Sequence, residues 1–197
     1  MAVKTVVFDV GETLVDETEY WGSIADAYGI PRFTFSGVMG AVIAAGEHHH
    51  RVFDVLGLVP RAGENVCTLY SDAQPALEAL RGRGYRIGLA ANQPAWAEEV
   101  LRRAGVRADF VGLSEVWGVD KPSPAFFARI VDEAGCEPSE IAYVGDRVDN
   151  DVEPALAAGM VAVHIRRGPW GHLQDGAERA HLHIRSLDEL PDALAGV

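Results

Sequence analysis

Four short stretches of the chain set residues capable of chemistry at or near the ends of apolar runs. In VVFDVGETLVD, Val6, Val7 and Phe8 deliver a lone carboxylate, Asp9, into a turn that contains Gly11. Asn92 closes the run YRIGLAA, Lys121 sits in VDKPSP, and GDRVDND puts Asp146 directly after Gly145, with Asp149, Asn150 and Asp151 crowding the next loop. Carboxylates from two strand ends, together with a lysine, make a site able to hold a divalent cation and an anionic group. The density of oxygen ligands in the last stretch suits magnesium. Each stretch alone also has a plainer reading: an Asp that opens a turn, or Asn150 or Asp151 capping the helix that follows.

Positioning these residues requires a fold whose loops converge. Val6, Val7 and Phe8 are β-branched or aromatic and nearly continuous, which suits a strand buried on both faces of a parallel sheet. In open α/β sheets ligands bind outside the carboxyl ends of the strands, where Asp9 would lie. Strand and helix patterns alternate along most of the chain, so we expect an α/β, doubly wound parallel sheet in three layers. Strands are expected at 5–10, 85–91, 108–113, 141–144 and 161–165, with helices at 72–83, 94–104, 124–134, 152–158 and 187–194. Ser123 and Pro124 suit the start of the third of these helices. Residues 166–180, with Gly168, Pro169 and Gly171, read as a loop. No good strand falls between residues 17 and 58. That segment has helical candidates at 19–28, 35–45 and 47–56, broken by Gly29, Pro31, Gly46 and Gly57, and reads as a helical insertion right after the first loop.

At 197 residues the chain can bury a full core without disulfides. Cys67 and Cys136 are far apart and lack metal-binding spacing, which points to a reducing setting and to packing roles. The N-terminus lacks the pattern of a signal peptide, and the apolar run at 38–45 is too short to span a bilayer, so a soluble, cytoplasmic protein is expected. With 29 acids against 17 bases, the net charge of −12 speaks against nucleic acid or an anionic membrane as partner. An anionic substrate would need a metal ion and a few aimed cations.

The ordered set resembles the haloacid dehalogenase-like hydrolase superfamily over nearly the whole chain. FDVGETLVD looks like its first motif, GLAANQP the second, GVDKPSPAFF the third and VGDRVDNDVEPALAAGM the fourth, while HIRRGPWG and SLDELPDAL resemble the small-capped, phosphatase-like branch. The resemblance implies a Rossmann-like core at 1–15 and 68–197, with a short α-helical cap at 16–67. It implies a magnesium-dependent phosphatase acting on a small phosphorylated metabolite. Asp9 would attack phosphorus to give an aspartyl-phosphate, Lys121 would hold the phosphoryl oxygens and the Asp9 carboxylate, and Asn92 would position the phosphoryl group. Asp9, Asp146 and the backbone carbonyl of Gly11 would bind Mg²⁺, with Asp151 as a direct or water-bridged ligand or one step removed.

Two positions depart from the family. Its second aspartate, which protonates the leaving group and then activates water, is replaced here by Gly11. Since such help is worth about 10² to 10⁴ in rate, slow turnover of poor leaving groups is expected, improved by Gly11→Asp. Ala91 stands where the family has Ser or Thr, removing a phosphoryl donor worth about 1 to 3 kcal/mol. Glu12 is a conceivable replacement acid, but a solvated or helix-capping role is preferred. His48, His49 and His50 are read as a polar helix face, since consecutive helical positions fan around the axis. Trp21, Tyr20 and Phe33 suit the insertion's own core or a substrate pocket, and Arg147 would add local charge or form a surface ion pair. A catalytically impaired metal- or phosphate-binding or regulatory protein is the alternative. Dehalogenation is disfavoured because carbon–halogen displacement has no need of the metal loop.

Overall fold

In a computed structural model, described for residues 2–64 and 67–197, the first strand β1 (Thr5–Phe8) lies at the centre and is buried along its whole length. It pairs in parallel with β4 (Arg86–Ala91) on one side and β6 (Ile141–Gly145) on the other. Further strands are β5 (Phe110–Leu113), β7 (Val161–Ile165) and β8 (Leu182–Ile184), in the order β5-β4-β1-β6-β7-β8. All neighbours in this sheet run parallel. The chain therefore winds outward in one direction from β1, returns, and winds outward in the other from β6, so a crevice opens between the loops of β1 and β6.

The alternation of side chains explains the layers. Val6 and Phe8 join Leu89 and Val144 against α4 (Ala73–Gly82), α5 (Ala97–Arg103) and α10 (Leu190–Leu194). Val7, Ala90 and Tyr143 face the other way, onto α7 (Pro124–Ala134) and α8 (Glu153–Ala157). The expected doubly wound α/β architecture is thus observed. α7 starts as its sequence suggests, with the Ser123 hydroxyl accepting the Ala125 N–H at 3.3 Å and Pro124 in the first turn.

Between β1 and β4, α1 (Thr18–Ala27), α2 (Arg32–Ala44) and α3 (Arg51–Leu56) enclose a separate cluster that includes Trp21, Ile24, Phe35, Met39 and Phe53. A short antiparallel ribbon of β2 (Val15–Asp16) and β3 (Thr68–Leu69) joins the ends of this insertion. Residues 65 and 66 of the expected cap lie outside the described residues.

Several local expectations are corrected. The region 166–180 is not a plain loop: it contains α9 (Gly168–Leu173), whose Trp170 closes the insertion's cluster. Burial of that indole outweighs the low helix propensity of GPWG. β8 and the β2–β3 ribbon are too short and too polar to show periodicity, and α6 (Ser114–Trp117) is a single turn. The histidines precede α3 instead of lying within it. Among the described residues, no helix is long and apolar enough to cross a membrane.

Candidate active site

The site is built where β1 and β6 end side by side. Backbone pairing carries past the strands, with the Asp9 N–H donating to the Val144 carbonyl at 2.9 Å. Asp146 follows β6, and the chain then makes a wide π-type turn over Val148–Val152 that brings Asp151 back against the strand. Only glycine at 145 allows this, because a Cβ there would run into the Asp151 side chain. Asp9, Asp146 and Asp151 each bring one carboxylate oxygen within 4.8 Å of the others, and all three residues are buried.

Lys121 enters this acidic cluster from the loop before α7. Its Nζ donates to Asp9 Oδ1 at 2.7 Å and to Asp151 Oδ1 at 2.6 Å. Burial works against the ammonium charge, but Asp151 and Asp9 outweigh it and hold the Lys121 pKa well above its ordinary value. Asn92 clamps the lysine's backbone: its Oδ1 accepts the Lys121 N–H at 2.8 Å and its Nδ2 donates to the Lys121 carbonyl at 3.0 Å. Tyr143, which no catalytic pattern in the sequence marks, lies beneath the lysine with its ring centroid 5.6 Å from Nζ. Its hydroxyl donates to the Ala90 carbonyl at 2.8 Å.

Asp146 supplies the test for a cation. Its Oδ2 is buried and has no hydrogen-bond partner among the described residues. Burial, then the neighbouring Asp151 and Asp9, push its pKa well above the ordinary carboxylate range. Burial also lifts Asp151, with Lys121 opposing, to about 6. An unpaired buried acidic oxygen next to two more carboxylates is costly by itself, and a hard divalent cation would relieve that cost. His164 braces the same loop, its buried Nε2 lying 3.1 Å from the Asp146 carbonyl oxygen. Because that carbonyl can only accept, the proton sits on Nε2.

The wall above the acids comes from the insertion. A cleft of about 950 Å³ is lined by Asp9, Gly11, Glu17, Trp21, Asn92, Lys121, Arg147 and Trp170 among others. Arg147 grips Asp149 at 2.7 and 3.1 Å and lies 5.3 Å from the Trp170 ring centroid. His49 sits half-buried between Trp21 and Trp170, with ring centroids at 5.5 and 5.3 Å, while His48 and His50 are exposed, so the histidine triplet is polar as expected but is a turn before α3 and not a helix face. Burial, reinforced by His48 and His50, lowers the His49 pKa to about 3, which keeps it neutral. Trp21 belongs both to the insertion's core and to the cleft, whereas Phe33 belongs to neither and is 91% exposed.

Glu12 is neither solvated nor turned toward the cleft. Its backbone takes a positive φ of 51°, and its buried carboxylate accepts the Glu17 N–H at 2.9 Å and the Tyr70 hydroxyl at 2.6 Å. The carboxyl group that approaches Gly11 belongs to Glu17, just before α1. A Cβ built on Gly11 would meet Glu17 Oε1 at 2.5 Å. Glu17 Oε2 accepts the Trp21 indole N–H at 3.1 Å. Burial, then Glu12 and Asp9, push the Glu17 pKa up to about 7 against the pull of that indole bond. The sequence holds no local signal for Glu17, which lies outside the first motif and is one acid among several.

A family model described as haloacid dehalogenase-like hydrolase matches residues 3–159. A glyceraldehyde 3-phosphate phosphatase of Methanopyrus kandleri is 37% identical over 126 residues, 62% of this chain and 50% of that protein. A protein of the same name from Methanocaldococcus jannaschii is 27% identical with 96% of both chains covered. The phosphoserine phosphatase of Thermus thermophilus is 37% identical over 154 residues, 70% of this chain and 62% of the relative. Among solved structures, a HAD phosphatase from Thermococcus onnurineus superposes with a TM-score of 0.67 at 25% identity, covering 98% of this chain and 99% of that one. An L-2-haloacid dehalogenase from Xanthobacter autotrophicus shares the fold, with a TM-score of 0.74 at 19% identity and 99% of each chain covered.

Proposed function

The chain belongs to the haloacid dehalogenase-like hydrolases, and from that premise we propose that it is a magnesium-dependent phosphatase of a small phosphorylated metabolite, working through an aspartyl-phosphate on Asp9. The observation that carries the reading is the position of Lys121 Nζ, shared between Asp9 Oδ1 and Asp151 Oδ1 beside the unpartnered oxygen of Asp146. It brings together a nucleophile, a fixed cation and an acidic oxygen with no partner among the described residues at the carboxyl ends of β1 and β6. Relatives named as phosphatases support the reaction class.

Lys121 holds one oxygen of Asp9, so the other is the oxygen left to attack phosphorus in line with the departing ester oxygen. The ammonium attracts the phosphoryl oxygens into a cluster whose acids would otherwise repel them. Asn92 positions the lysine by holding its backbone N–H and carbonyl. Asp9, Asp146, the Gly11 carbonyl and Asp151 are the groups that would hold Mg²⁺, which when bound neutralises charge on the phosphoryl group. The inserted helices α1 to α3 form the small cap, and Trp21, with Trp170 from the core, shapes the space left for the substrate's organic part.

The test is hydrolysis of p-nitrophenyl phosphate with and without Mg²⁺. The native chain turns over, the Asp9→Asn variant loses activity by at least about 10³-fold, and chelation abolishes it. Unchanged activity in Asp9→Asn removes the nucleophile from this reading. Magnesium binding without any turnover identifies a binding or regulatory protein instead.

A further inference from the structure

The niche over Gly11 is filled by a carboxyl group from elsewhere in the chain. Glu17 reaches into it from the start of α1, its Oε1 lying 2.5 Å from where a side chain at position 11 would begin. Three contacts fix it there. The Glu17 N–H is held by Glu12 Oε1 at 2.9 Å, Glu12 is itself held by the Tyr70 hydroxyl at 2.6 Å, and Glu17 Oε2 takes the Trp21 indole N–H at 3.1 Å. With Oε2 bound, Oε1 is the oxygen turned to the niche, and Glu17 shares the cleft with Asp9 and Lys121. Glu12, the sequence neighbour of Gly11, spends both its oxygens on this support.

We propose that Glu17 is the proton-transfer residue of this site, supplying from the inserted segment the carboxyl group that Gly11 lacks. The proposal rests on the phosphatase reading. As an Asp9 oxygen bonds to phosphorus and the P–O ester bond breaks, the Glu17 carboxylic acid gives its proton to the leaving oxygen, which departs as an alcohol. Glu17, now a carboxylate, then takes a proton from water as the water oxygen attacks phosphorus. The Asp9–phosphorus bond breaks, inorganic phosphate leaves, and both residues return to their starting states. Acid and nucleophile thus come from different segments, Asp9 from the sheet and Glu17 from the insertion, so catalysis depends on the seating of α1.

The experiment compares the native protein with E17Q on phenyl phosphate, whose leaving group needs a proton, and on 2,4-dinitrophenyl phosphate, whose leaving group does not. Phenyl phosphate turnover should fall by about 10²-fold or more in E17Q. With the dinitrophenyl ester, E17Q should still release a burst of one dinitrophenolate per chain at a rate within about threefold of native, because Asp9 attacks without an acid, and then turn over slowly for want of a base. The burst also reports that the variant is folded. Should E17Q melt early, Glu17→Ser, which adds no bulk, is read by the same two esters. Phenyl phosphate turnover within about twofold of native overturns the proposal, since general acid help would be missing from the rate. Equal loss of burst and steady state in a variant with native melting also overturns it, because Glu17 would then be only a scaffold. The underlying reading fails differently: either Asp9→Asn keeps full activity, or the native protein cleaves neither ester.

Discussion

Gly11 and Glu17 compete for one volume, and this changes what a substitution at position 11 does. From the sequence, Gly11→Asp restores a missing acid and should raise turnover. In the folded protein the new Cβ meets Glu17 Oε1 at 2.5 Å, so the aspartate enters only by moving the end of the Glu17 side chain off its indole partner. One carboxyl group then replaces another. We expect Gly11→Asp alone to leave phenyl phosphate kcat/KM within about tenfold of native, while the same change added to E17Q raises it at least about tenfold over E17Q. A large gain from Gly11→Asp in the native background would mean that Glu17 contributes no proton transfer. Asp9 and Asp146 were legible because each directly follows an apolar strand, Asp151 because it lies in the acidic loop beyond β6, and Lys121 because VDKPSP opens the next helix. Glu17 was not, because its approach to Gly11 depends on how α1 packs, a tertiary fact without a local pattern. Asn92 was legible as a site residue, but the sequence could not say that its amide would be engaged by the Lys121 backbone.

At the scale of elements, strong periodicity carried the reading and short or glycine-rich segments defeated it. β1, β4, β6, β7 and α7 have runs long enough for the pattern to dominate local propensity. α9 is a helix because Trp170 has a place among Trp21 and its neighbours, which GPWGHL alone cannot reveal. The loop after β6 is the instructive case. GDRVDND announces acids, but its geometry comes from a π-type turn that returns Asp151 to the strand, where Gly145 has no side chain to obstruct it. Gly145→Ala would push Asp151 off Lys121 and leave the ammonium with Asp9 alone. Displacing one partner of a buried, hydrogen-bonded ion pair costs about 3 kcal/mol or more. The expected outcome is a variant that melts earlier, by urea titration, and binds Mg²⁺ at least about tenfold more weakly. Native stability and Mg²⁺ affinity in Gly145→Ala would show that the turn tolerates a Cβ.

At the scale of the whole molecule, the insertion, the sheet and the C-terminal segment must be held in one arrangement for a site shared among them. The alternation of elements made the doubly wound sheet legible, but not the tie between distant parts, because long-range polar contacts leave no periodic trace. That tie is Asp72, at the start of α4. Its Oδ2 accepts from Arg167 after β7, from the Ser186 hydroxyl at 2.8 Å and from the Leu187 N–H at 2.9 Å. Arg167 in turn lies 4.0 Å from the Tyr70 ring centroid and donates to the Thr13 carbonyl at 2.9 Å, which links the tie to the loop that carries Glu12. Burial works to raise the Asp72 pKa, but Arg167, Ser186 and the Leu187 N–H outweigh it and hold it below its ordinary value. A carboxylate with a depressed folded pKa contributes stability that is fully present above its unfolded pKa of about 4 and is lost as pH falls through the folded value. Asp72→Asn should therefore cost about 3 kcal/mol at pH 7, where it leaves Arg167 without its charged partner. The difference between variant and native protein should begin to shrink as urea titrations are carried below about pH 4, where the unfolded carboxylate takes up a proton, and shrink further as pH falls through the lower folded value. A difference that stays constant from pH 7 to the lowest pH at which both proteins fold would assign the loss to packing rather than to the charge on Asp72.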